Sequence, residues 1–237
     1  MNRQWFAGVG VARVQSVLSL ALREGTLELH RQLEHSAFMQ TLLRGQMDRA
    51  RYCALLRNLH AIYAALEDAL RRQGAHPWLA VARCAGLSRT SALALDLAML
   101  HGDLWRSDLE LQPAARNYVR HVQHLEHAAP GRLLAHAYVR YLGDLSGGQI
   151  LRRIVRASLA LDGPGGTAFY SFGSPEQAAA LARQFRHGLD ALDLDASGVD
   201  VLVDEAAEAF ALHGPLFEQL MAAPQASGGA GMPAMPA

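Results

Sequence analysis

The sequence has no lysine: each of its 22 basic residues is an arginine, a planar fork suited to carboxylate and phosphate groups. Its 22 acidic residues cancel that charge, so no broad field marks a nucleic-acid partner or an anionic membrane, and any basic site must be local. Only Cys53 and Cys84 are present. They form no C-x-x-C, C-x-x-C-H or zinc-ligand spacing, which excludes a disulfide scaffold and a thioether-linked cofactor and suits a reducing cytoplasm. No apolar run reaches the roughly 18 to 20 residues of a membrane span. The stretch from Trp5 to Leu22 is interrupted by Arg13 and Gln15 and lacks a small-residue cleavage site, so it reads as a helical lead-in and not a signal peptide. The expectation is a soluble cytoplasmic protein. Strand-like alternation is nearly absent, and there is no solenoid repeat, serine-hydrolase elbow, dinucleotide fingerprint or Glu-x-x-His pair of a di-iron bundle.

What is present is apolar residues at helical spacing. With 51% hydrophobic residues in 237, the chain can bury one sizeable core, and no long linker divides it. The pattern predicts an all-α single domain over residues 16–222, preceded by an extension over 1–15 and followed by a Gly/Pro/Ala-rich disordered tail over 223–237. A long helix runs from Ser16 to about Leu43 with a bend near Ser36. Asp48 caps a second that ends before Gly74. A third runs from Ser88 to about His101, a fourth from Pro113 to Pro130, and a fifth from Leu133 to Leu161. Pro175 opens a sixth through Leu192, and the last spans Val199 to Met221.

The fifth segment carries Gly143, Gly147 and Gly148 inside a strong helical pattern. Each glycine gives up roughly 0.8 to 1 kcal/mol against alanine. Either the helix bends, crosses another closely or stops at Gly143 and restarts from a Ser146 cap, or a flat group approaches its backbone where no Cβ intervenes. The run Leu145-Ser-Gly-Gly-Gln149 matches an ABC-type ATPase signature, but a chain without lysine cannot supply the phosphate-loop lysine such an enzyme needs.

Tyr141-Leu-Gly-Asp-Leu-Ser-Gly-Gly-Gln149 resembles the best-known signature of the heme oxygenase family. The resemblance continues through Leu22-Arg-Glu-Gly-Thr-Leu-Glu-Leu-His30, His35-Ser-Ala-Phe-Met39, His60-Ala-Ile-Tyr-Ala-Ala-Leu-Glu67, Phe210 and Leu216-Phe217, from about Leu20 to Leu220. It implies an all-α fold with heme b, both cofactor and substrate, between a proximal helix and a kinked distal one. It further implies cleavage to biliverdin, ferrous iron and carbon monoxide at the alpha-meso carbon, using O2 and an external electron donor. No flavin or iron-sulfur motif is present, so a separate reductase or ferredoxin-type partner is expected, the protein itself being a monomer. A non-enzymatic heme-binding storage, transfer or sensor protein on the same scaffold stays open as an alternative.

The resemblance makes His30 the proximal iron ligand. A ligating imidazole needs its second nitrogen held by an acceptor, and Glu34 lies one turn on. Arg23 lies about 10 Å before His30 along the helix axis and matches a propionate-contacting position. Tyr138 and Arg186 match further contacts. Ala182 stands where mammalian relatives carry lysine, and the adjacent Arg183 is a candidate substitute. On the distal side the resemblance puts the backbone of Gly143 and Gly147 near the heme face and makes Asp144 a proton relay acting through water, with Tyr63 and Arg140 in its network. Asn58 is a possible further neighbour. Phe210 and Phe217 are expected to wall the pocket. His213 replaces an asparagine common in relatives and has no reading from sequence. His121, His124 and His127 drift around one predicted helix with only Glu126 nearby, and read as a solvated polar stripe and not a metal site.

Overall fold

The computed structural model describes residues 17–163 and 165–222, and all regular structure among them is helical. The expected N-terminal extension and C-terminal tail lie outside the described residues. The helices are α1 (Leu18–Glu34), α2 (Ala37–Leu43), α3 (Arg49–Arg72), α4 (Thr90–Leu100), the single turn α5 (Trp105–Asp108), α6 (Pro113–Ala128), α7 (Leu133–Ala137), α8 (Gly143–Ser158), α9 (Pro175–Asp190) and α10 (Ala196–Ala222).

Local chemistry explains most boundaries. The bend expected near Ser36 is a full break. His35 ends α1, and the Ser36 hydroxyl accepts from the Met39 N–H at 3.3 Å to start α2. Asp48 caps α3 through the Arg51 N–H at 2.7 Å. At α9, Ser174 and Gln177 form a reciprocal capping box with Pro175 at the first helical position. The last helix begins at Ala196, a turn's length before the expected Val199, and carries Pro215 inside it.

Helix α3 is the centre of the core, packed against α4 and α6, while α10 lies along α1 and closes against α6, α7 and α2. The α1–α10 contact is close because Gly25 has no side chain: a Cβ there would stand 2.4 Å from Val203 Cγ1. Between α7 and α8 the chain winds wider, as a π-helical stretch over Tyr138–Leu142. Such stretches collect at functional sites because the extra residue re-aims the side chains after it.

Candidate functional site

One cleft is lined from α1 and α2 on one side and from the π stretch and the first turns of α8 on the other. His30, Glu34, Phe38 and Leu42 face Arg140, Gly143, Asp144, Gly147 and Leu151. Leu55 and Leu59 of α3, Phe169 and Tyr170, and Phe210, His213 and Phe217 of α10 complete it. Leu43 and Ile150, two of the large apolar side chains left exposed, line it as well. An apolar cleft with an exposed apolar lining is built to take up an apolar ligand.

On the α1 wall, His30 is about half exposed at 51%, and its Nδ1 lies 3.5 Å from Glu34 Oε2. The ring stands edge-on to Phe210 with centroids 5.9 Å apart. Glu34 therefore sits where the acceptor of a ligating histidine is required, with Nδ1 facing it.

On the opposite wall, added Cβ atoms at Gly143 and Gly147 would meet nothing within 4 Å. These two glycines serve no helix crossing. They leave bare main chain against open cleft, so of the alternatives above the flat-ligand surface is the one that fits. Gly148 differs, since its Cβ would come 3.5 Å from Tyr170.

Behind that backbone lies a buried polar network. The Tyr63 hydroxyl donates to Asp144 Oδ2, Arg140 Nη2 donates to Asp144 Oδ1 at 3.2 Å, and Arg140 Nε donates to the Tyr63 oxygen at 3.2 Å. Arg140 Nη1 donates to His213 Nε2 at 3.0 Å, and His213 Nδ1–H donates to the Ala209 carbonyl at 2.6 Å. This fixes His213 as the neutral Nδ1–H tautomer. Burial and the Arg140 charge push its pKa down to about 3. Burial raises the Asp144 carboxyl above the usual aspartate value, opposed by Arg140, by the Tyr63 hydrogen bond and by Arg89. Burial likewise lifts Tyr63 well above the usual tyrosine value. A carboxyl displaced upward, beside a cleft and tied to a phenol and a guanidinium, can hold and pass a proton.

The expected propionate contacts form a second group, around Tyr138. Burial raises the Tyr138 hydroxyl, while a hydrogen bond with Thr26 and the nearby charges of Arg186 and Arg23 lower it. Three helices therefore bring Arg23, Tyr138 and Arg186 together. Arg183 is exposed and makes no such approach to Tyr138. Asn58 also stays out of the distal network: its side chain bonds the Ala54 and Glu110 carbonyls and the Gln112 N–H. The polar-stripe reading holds for the exposed His124 and His127 but fails for His121, which turns inward to Glu205 at 2.6 Å. Glu126 is buried and paired with Arg72.

Sequence reasoning missed Phe169 and Tyr170. Two long-range anchors put them in the cleft: Asp96 accepts from the Ala168 and Phe169 N–H groups at 2.8 Å each, and Arg89 donates to the Phe169 and Ser171 carbonyls at 3.3 and 2.7 Å. Their partners lie more than 70 residues away, so no local pattern reveals them.

The heme oxygenase family model matches residues 16–219. Heme oxygenase 1 of Nostoc is 35% identical over 207 residues, covering 87% of each chain. Human heme oxygenase 1 is 37% identical over 205 residues, covering 86% of this chain and 71% of the human one. Among solved structures, heme oxygenase-1 from the cyanobacterium Synechocystis in complex with heme superposes with a TM-score of 0.81 at 35% identity, covering 86% of this chain and 92% of that one. With nearly the whole described chain matched and the signature's glycines, Asp144 and His30 on the walls of one cleft, this protein belongs to the heme oxygenase family.

Proposed function

We propose that this chain cleaves heme oxidatively to biliverdin, ferrous iron and carbon monoxide, drawing on O2 and on electrons from a separate reductase or ferredoxin-type donor. The observation that carries the reading is the pairing of walls: an imidazole backed by a carboxylate on one side, and Cβ-free main chain backed by a buried acid network on the other. When bound, heme supplies the iron at which O2 is activated and is itself the ring to be opened.

His30 holds the iron through Nε2, and Glu34 orients the imidazole through Nδ1. Arg23 and Arg186, with Tyr138, hold the two propionates and so set the ring's rotation and the meso carbon presented, the alpha carbon. Arg183 adds charge on the same helix without an equivalent tie. Gly143 and Gly147 admit the macrocycle against the α8 backbone, while Phe210, Phe38 and Phe217 exclude water around it. Asp144 relays through water the proton that ring oxidation consumes, Tyr63 and Arg140 fix its two oxygens, and His213 fixes Arg140. A pure heme carrier has no use for a carboxyl of raised pKa, tied to a phenol and a guanidinium, beside bare backbone. Both cysteines are free, which supports a reducing compartment such as the cytoplasm.

The test is spectroscopic. Heme added to the protein should give a Soret band, and a reductant under air should then replace it with biliverdin absorption, the isomer being read by chromatography. A Soret band that survives reduction would make the protein a heme binder, and no band at all would remove heme from its function.

A further inference from the structure

Away from the cleft, three helices bring together two imidazoles and a carboxylate. His121 of α6, His136 of α7 and Glu205 of α10 place their ligand atoms within 4.8 Å of one another. His121 Nε2 lies 2.6 Å and His136 Nε2 2.9 Å from the same atom, Glu205 Oε1. The other carboxylate oxygen, Oε2, is held by Arg132 Nη1 at 3.2 Å. His136 is fully buried and its Nδ1 lies 2.9 Å from the Tyr118 hydroxyl, whereas His121 is 26% exposed and opens the group to solvent.

We propose that this group is a site for a divalent cation of the zinc class, taken up by His121 Nε2, His136 Nε2 and Glu205 Oε1. Two imidazoles and one carboxylate make a donor set that zinc accepts at neutral pH, with a fourth position left for water. The surroundings meet the usual requirements of such a set. Arg132 occupies the second oxygen, so the carboxylate offers one. Tyr118 holds the far nitrogen of His136 and fixes the ring's direction.

Tetrahedral ligand atoms at zinc distances stand roughly 3.3 Å apart, so the nitrogens must draw back from Glu205 Oε1 by about 0.7 Å at His121 and about 0.4 Å at His136. His121, the partly exposed member on the surface side, supplies the larger movement. No proton need leave: each imidazole shifts its N–H from Nε2 to Nδ1. The Tyr118–His136 hydrogen bond then reverses, with His136 donating and the phenol oxygen accepting. The Tyr118 ring packs edge-on against His213 at 5.1 Å, one residue from Arg140.

Zinc titrated calorimetrically into the full chain at neutral pH should bind at one equivalent, raise the melting temperature and depend on His121. His121→Gln keeps an N–H donor for Glu205 and so preserves the fold. It should weaken zinc binding by about 100-fold or more and abolish the melting shift, whereas His124→Ala and His30→Ala should bind like the parent. Cobalt(II) at the same site should show the intense visible bands of four-coordination. Absence of binding, equal affinity in His121→Gln, or loss of binding in His30→Ala would each overturn the site. The His30→Ala result would transfer the cation to the cleft.

Discussion

Asp144, mostly covered, and His213, buried, are ionisable residues beside the cleft, yet their environments push them toward opposite uses. Asp144 is displaced toward holding a proton and His213 toward never accepting one. Asp144→Asn keeps the shape and the Arg140 contact but removes the acid. It should leave the heme Soret band in place and lower the rate of biliverdin formation by about 100-fold or more, within the range that general-acid groups contribute. An unchanged rate would remove Asp144 from proton delivery. His213→Ala strands Arg140 Nη1 without its acceptor inside the protein, which should cost about 1 to 3 kcal/mol in chemical denaturation, while His213→Asn restores an acceptor and should recover most of that. Asp144, Tyr63, Arg140 and His30 were legible because they stand in motifs the family resemblance carries. His213 was not, since its meaning is a contact with a residue 73 positions away. Arg183 shows the converse: adjacency to Ala182 made it a candidate, but the helix turns it 100° from that position, to an exposed face.

Among the elements, the glycines of α1 and α8 predict opposite responses to one substitution. Gly143 has helical angles, φ −59° and ψ −50°, and open space where a Cβ would go. Gly143→Ala should therefore stabilise the heme-free protein by about 0.5 to 1 kcal/mol in urea while weakening heme binding. Gly25→Ala places its Cβ against Val203 at the α1–α10 crossing and should destabilise by about 1 to 3 kcal/mol. A loss of stability in Gly143→Ala would mean that the protein, and not a ligand, needs that glycine. The break at Ser36, the cap at Asp48 and the Pro175 start were readable because each is set by side chains within a few residues. The π stretch over Tyr138–Leu142 was not, because one extra residue in a turn leaves the apolar spacing of its neighbours looking helical. The cost of three glycines announced that something happens at α8, and only the three-dimensional arrangement divides them into two that face the cleft and one that packs on Tyr170.

For the molecule as a whole, the buried histidines set how it meets acid. His213 has a folded pKa of about 3 and an unfolded value near 6.5, so below pH 6.5 the unfolded chain binds a proton that the folded chain refuses. Its contribution is complete above about 6.5 and is lost as pH falls toward 3, at a slope approaching about 1.4 kcal/mol per pH unit once the unfolded form is protonated. His60, lowered to about 4 by burial and by Arg106 and Arg57, and His136, lowered by burial, act in the same sense. Glu205 joins them only below its ordinary value, where the carboxylate held at about 2 must be protonated on unfolding. Asp144 runs the other way, because a raised folded pKa favours the folded state toward acid. Between pH 6.5 and 4.5 the histidines should dominate, and urea unfolding at pH 7.5 and 5.5 should show a clear fall in stability. His213→Asn, which cannot titrate, should flatten that fall by about 1 kcal/mol over the interval. A variant whose stability drops as steeply as the parent's would mean that His213 carries a proton in the folded state, and its Nε2 could then not accept from Arg140 Nη1.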